Sequence, residues 1–152
     1  MNRVYFKGFN YTTENLPEGV IFVGVSPDGL VHQMTKNAEP AADDVTLEQE
    51  VGDAIEQAEA YSQGGTSLGF REPIFFKMKG TEMARCRSTL MSKGGLSFAD
   101  NVFYFDANHR LTQVQCATRP SNFGRSLVDH EAIQKRLGNW IDLAIENGVE
   151  DQ

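Results

Sequence analysis

A chain of 152 residues with a hydrophobic share of 40% can bury a core in one domain without help from disulfides or a metal. Fourteen Lys and Arg against twenty-one Asp and Glu leave a net charge of −7. That balance counts against a general nucleic-acid binder and against docking on anionic membrane, both of which need cationic surface. No run approaches the ~18 apolar residues of a spanning helix. The start, Met1 to Gly8, has no apolar stretch of signal-peptide length, so the expectation is one cytoplasmic domain over residues 1–152.

Residues 3–9, with Val4 and Phe6 set against Tyr5, Lys7 and Phe9, predict a first strand with aromatic residues on both faces. Asn15-Leu16-Pro17-Glu18-Gly19 is turn chemistry. The β-branched run Val20–Val25, the turn Pro27-Asp28-Gly29 and the stretch Leu30–Thr35 predict a hairpin, followed by a loop from Asn37 to Asp44. Leu47, Val51, Ala54, Ile55, Ala58 and Tyr61 then recur at helical spacing. Thr46 is a natural N-cap with Gln49 at the capping-box position, and Gly64-Gly65 follows as the stop.

From Ser67 the period falls to two. Ile74, Phe76 and Met78 alternate with Phe75, Lys77 and Lys79, and Gly80 turns the chain. Ala84, Cys86, Ser88 and Leu90 alternate with Met83, Arg85, Arg87 and Met91 up to the turn Lys93-Gly94-Gly95. Phe98–Phe105, the turn Asp106-Ala107-Asn108-His109 and Leu111–Ala117 complete four strands joined by short turns, an antiparallel meander with one covered and one partly open face. Ile133, Leu137, Trp140, Ile141 and Ala144 form the stripe of a last helix, with start signals at Ser126 and Asp129 and a stop at Asn147-Gly148. The order implies an α+β domain: an antiparallel sheet with a four-stranded meander flanked by two helices.

Catalytic patterns are sparse. Gly64-Gly65 and Gly94-Gly95 lack the Lys-Ser or Lys-Thr of a phosphate loop. His32, His109 and His130 stand in distant elements, and His130-Glu131 lacks the second His of a zinc helix, so neither metal nor cofactor is expected. Cys86 and Cys116 fall in the meander, where buried thiols are the default, and no spacing places a base beside either one. The sequence therefore points to a non-enzyme.

Two surfaces suggest protein binding instead. Met83, Arg85, Arg87 and Met91 project together from one strand, with Lys77 on a neighbour. That face reads either as a solvated sheet face or as a groove for an apolar or amphipathic peptide, since Met adapts to irregular partners and Arg donates to carbonyls. Between Lys36 and Arg71 no Lys or Arg occurs, and Glu48, Asp53, Glu56 and Glu59 fall on the first helix. That face is a solvated surface or a contact for a cationic partner.

The Leu16-Pro17 turn, the helix start Thr46-Leu47-Glu48-Gln49-Glu50-Val51, the strand entry Gly80-Thr81-Glu82-Met83-Ala84-Arg85, the aromatic strand and the final amphipathic helix together resemble the DcrB-like and Eag-type proteins. The resemblance spans residues 3–145 and departs from the Eag-type pattern at Gly19-Val20-Ile21-Phe22, where a polar stretch is expected. It implies a PsbP-like α/β/α sandwich and a non-enzymatic chaperone that holds the apolar N-terminal helices of type VI secreted effectors. The alternative carried beside it is an immunity protein that neutralises a basic toxin through the acidic helix. Both expect a protein partner, without nucleic acid or membrane, and both allow a homodimer.

Overall fold

The computed structural model describes residues 5–60, 67–119 and 127–147. Strands β1 (Asn10–Thr12), β2 (Val20–Val25) and β3 (Leu30–Lys36) precede helix α1 (Leu47–Ala60). Strands β4 (Ser67–Phe70), β5 (Ile74–Met78), β6 (Thr81–Ser92), β7 (Gly95–Phe105) and β8 (Leu111–Thr118) follow, and helix α2 (Leu127–Asn147) ends the described chain. All pairings are antiparallel, and together they make one eight-stranded sheet in the order β1-β2-β3-β8-β7-β6-β4. β5 shares the β6 edge with β4, because the chain breaks at Arg71-Glu72-Pro73 between them.

The expected meander is β5 to β8, and the β3–β8 ladder joins it to the N-terminal hairpin. The ladder aligns Val31 with Ala117, Gln33 with Gln115 and Met34 with Val114. One helix lies on each face: α2 packs on β7 and β8, whereas α1 packs on β4, β6 and β7. The α1 start matches its capping chemistry. Gln49 N donates to Thr46 Oγ1 at 3.2 Å, and Thr46 N donates to Gln49 Oε1 at 3.0 Å. These reciprocal bonds satisfy two groups that the helix leaves unpaired. Tyr61, the predicted end of α1, and the start signal Ser126 lie outside the described residues.

The predicted strand over residues 3–9 is not formed where it is described. Residues 5–9 make a turn in which Phe9 N donates to Phe6 O at 3.2 Å and Gly8 takes a φ of 89°, and pairing starts only at Asn10. Gly8 accepts the left-handed backbone that a β-branched residue would resist. The turn sends Phe6 and Phe9 the same way, both against Trp140 of α2.

Two cores result. Under α2, Phe22, Met34, Val102, Val114, Leu137 and Ile141 form the larger one. Under α1, Leu47, Val51, Ala84, Cys86, Phe103 and Leu111 form the smaller. No helix among the described residues is long and apolar enough to cross a membrane.

Candidate functional site

Strand register assigns every side chain to a face. Met83, Arg85, Arg87 and Met91 do share one face of β6, but α2 lies over that face and closes much of it. Met83 is 6% exposed and belongs to the larger core, so it is packing rather than surface. Lys77 stands opposite Glu82 in the ladder, one step out of phase with Met83 and Arg85, and therefore on the other face. Met91 is 57% exposed near the far end of β6. The five residues do not form one open groove.

Arg85 and Arg87 differ sharply despite being two residues apart. Arg85 Nη2 donates to Asp100 Oδ2 and to the carbonyl of Gly138 at 3.0 Å each, and Nη1 reaches Asp142 Oδ1 at 2.5 Å. Gly138 makes this possible: a Cβ there would sit 3.1 Å from Arg85 Nη2. The half-buried Arg87 has one long contact, 3.4 Å from Nη1 to Gln134 Oε1.

Around these arginines a trough follows the seam between α2 and the β5 edge. Its apolar end, about 350 Å³, is lined chiefly by Ile74, Phe76, Met78 and Ile145. Its polar end has two lobes of about 480 and 390 Å³, which share Arg85 and Arg87 and add Arg71 on one side and Lys135 on the other.

The other sheet face is open beyond the reach of α1. Val23 and Val25 of β2, Val31 and Gln33 of β3, and Gln113, Gln115 and Ala117 of β8 are all half-buried. Neither core includes the three valines or Ala117. Register lays them out in two rows. Val25, Val31, Ala117, Ala99 and Ser88 form one, and Val23, Gln33, Gln115, Asn101 and Cys86 form the next. The amide row is anchored at Asn101, which is fully buried. Its Oδ1 accepts from Gln113 and Gln115 Nε2 at 2.9 and 2.8 Å, and its Nδ2 donates to Cys86 O and Ser88 Oγ at 3.1 Å each. Sequence reading missed this strip, although the alternation of Val31, Gln33 and Gln113, Gln115 was there to be read.

Glu48, Asp53, Glu56 and Glu59 are exposed on α1, as a surface role requires. Among the described residues, Glu59 alone of the four is engaged locally, where Oε2 accepts from Phe70 N at 3.1 Å.

The isolated candidates for chemistry fall apart in space, with one exception. Cys86 and Cys116 are on opposite faces: register sets Cys86 against Asn101 and Cys116 against Asp100. Burial pushes both thiols up to about 12, so neither is a thiolate at neutral pH. His109 stacks on Phe105, its Nε2 3.2 Å from Ala42 O, and His130 tilts against Phe98.

The exception is His32, which is the cross-strand partner of Cys116. It is sealed at 1% exposure, stacked on Phe6 at 3.9 Å between centroids, and its Nδ1 is 2.7 Å from Tyr11 Oη. Burial pushes its pKa down to about 3, which keeps it neutral. Gly24 leaves room for the Tyr11 ring, since a Cβ there would lie 2.3 Å from it. Among the described residues, no three His, Cys, Asp or Glu side chains converge as a metal set.

This arrangement, an open antiparallel sheet with a helix on each face, is a PsbP-like α+β fold. In particular, the chain is similar to the solution structure of cyanobacterial PsbP (CyanoP) from Synechocystis sp. PCC 6803. The TM-score is 0.57 at 11% identity, over 94% of this chain and 81% of that one. It is also similar to the crystal structure of PA94, a protein of unknown function from Pseudomonas aeruginosa, with a TM-score of 0.50 at 14% identity over 88% of this chain and 81% of that one. No protein-family model matches the chain, and no curated protein matches it in sequence.

Proposed function

We propose that this protein is a non-catalytic binding protein that holds an apolar helical segment of a partner, in the manner of a bacterial cytoplasmic chaperone or adaptor for a type VI secreted effector, as in the Eag-type proteins. The observation that supports the reading is the open strip on β2, β3 and β8. Its small apolar row, Val25, Val31 and Ala117, lets a helix approach closely, and the adjoining amides of Gln33 and Gln115 offer hydrogen bonds to polar groups on that helix. Small, half-buried apolar residues left uncovered by a helix support a role for this face in partner binding.

The test uses a 20-residue Leu/Ala segment fused behind a soluble carrier. Amide NMR shifts confined to β2, β3 and β8, and abolished by Val31→Asp, are the expected result. Shifts elsewhere, or binding that survives Val31→Asp, overturn the reading.

The exposed acids of α1, a helix without a single Lys or Arg, favour a second reading as an immunity protein against a basic toxin. Charge reversal at Asp53, Glu56 and Glu59 then slows association with such a toxin and flattens its dependence on salt. An association rate left unchanged sinks this version.

A further inference from the structure

The trough between α2 and β5 lies on the opposite face from the open strip and carries a separate inference. β5 pairs only with β6, so among the described residues its outer edge has no strand partner. It is also unusually apolar for an edge: Ile74 is 71% exposed and Phe75 is 38% exposed. Exposed apolar edges of this kind accept added strands.

The register gives the seam a code with a step of two residues, or ~7 Å. Met78 lies opposite Thr81, Phe76 opposite Met83 and Ile74 opposite Arg85. One step further along β6 stands Arg87, whose carbonyl accepts from Arg71 N at 2.9 Å. Three apolar positions are thus followed by a cationic one.

At that cationic step Arg87 has donors to spare. Arg85 uses its guanidinium on Asp100, Asp142 and Gly138, whereas among the described residues Arg87 has only the 3.4 Å contact to Gln134. Arg71 and Lys135 stand at the same end of the trough and form no ion pair among the described residues. Glu72, Asp100, Glu131 and Asp142 line the same two lobes, so formal charge there is balanced, and what a carboxylate would complement is the sparsely engaged guanidinium of Arg87. A second copy docked through the same edge would not supply that carboxylate, because β5 (IFFKM) carries no acid.

We propose that the outer edge of β5 receives an extended segment of a partner protein as an added antiparallel strand. Apolar side chains at alternate positions lie along Met78, Phe76 and Ile74, and a carboxylate one step beyond the last of them, toward the segment's C-terminal end, meets Arg87. Main-chain pairing supplies affinity, the apolar row fixes the face, and the arginine fixes the register.

The probe is an acetylated, amidated heptapeptide with Val at positions 1, 3 and 5, Thr at 2, 4 and 6, and Glu at 7, titrated into the full-length protein and followed by amide NMR. Saturable shifts along β5 are expected. Replacing Glu at position 7 by Gln, or making Arg87→Gln, weakens binding about tenfold, as loss of a charge-assisted hydrogen bond does. N-methylation of the peptide's edge-facing amides and Ile74→Asp each abolish it.

No saturable shift, shifts away from β5, or equal affinity for the Glu and Gln peptides overturns the proposal. So does sedimentation showing a dimer of the protein alone that Ile74→Asp dissociates, which would put a second copy on the edge.

Discussion

The two faces of the sheet use the same strands but are finished differently. Under α2, every second side chain of the central strands is sealed: Val102 and Val114 pack on Leu137 and Ile141, and Phe6, His32 and Trp140 stack beside them. On the other face α1 packs chiefly on β4, β6 and β7, with Leu111 at the start of β8 in the same core, and the valines and glutamines of β2, β3 and β8 are left half-buried. Alternation in a strand therefore says which residues travel together. Which of the two sets becomes core depends on where each helix docks.

The largest contrast between the faces is expected from truncation. Ile141→Ala removes a fully buried side chain beneath the sheet and costs ~2–5 kcal/mol, whereas Val31→Ala on the open strip costs well under that, about 0.5 kcal/mol. Urea unfolding of both variants measures the difference, and equal losses would mean that the strip is core after all.

Next comes the polar contact that ties α2 down. Asp100→Ala leaves Arg85, 28% exposed, without its most buried partner and is expected to cost about 3 kcal/mol. Double replacement of Arg85 and Asp100 by apolar residues should recover part of that loss.

His32 gives the covered face a dependence on acid that the open face lacks. The folded value is depressed to about 3 from the ordinary 6.5, so the unfolded chain takes up the proton first. The stability due to this difference is complete above pH 6.5 and falls by ~1.4 kcal/mol per unit below it, about 2 kcal/mol at pH 5. Denaturant titrations at pH 7 and 5 read the slope, and His32→Phe should flatten it over that window.

A loss smaller than those at Ile141, Asp100 and His32 belongs to α1. Thr46→Ala breaks the reciprocal cap and is expected to cost about 1 kcal/mol in thermal or urea unfolding, with α2 and the aromatic cluster unchanged.

Much of the fold was legible because it rests on short-range chemistry. The Thr46–Gln49 cap, the Pro27-Asp28-Gly29 turn, the Asp106 to His109 turn and the stripe Ile133, Leu137, Trp140, Ile141, Ala144 each specify their element within a few residues. Residues 3–9 misled because an aromatic run satisfies a strand pattern and a turn equally well, and Gly8 decided for the turn. The site was harder. Met83, Arg85, Arg87 and Met91 do share a face, but their fates range from core through ion pair to open surface, because α2, some fifty residues later in the chain, crosses only part of it.

Local propensity, turn residues and period-two alternation were thus enough to set the α+β class, the hairpin, the meander and the partition of each strand into two sets of side chains. The closure of the sheet through β3 and β8, the pairing of His32 with Cys116 and the burial of Asn101 under two glutamines arise between residues roughly eighty positions apart or on separate strands. So do the trough at the β5 edge and the contrast between Arg85 and Arg87. No local rule encodes them: long-range contacts form only once the whole sheet has assembled, and the docking of two helices on opposite faces then decides what is sealed and what stays open.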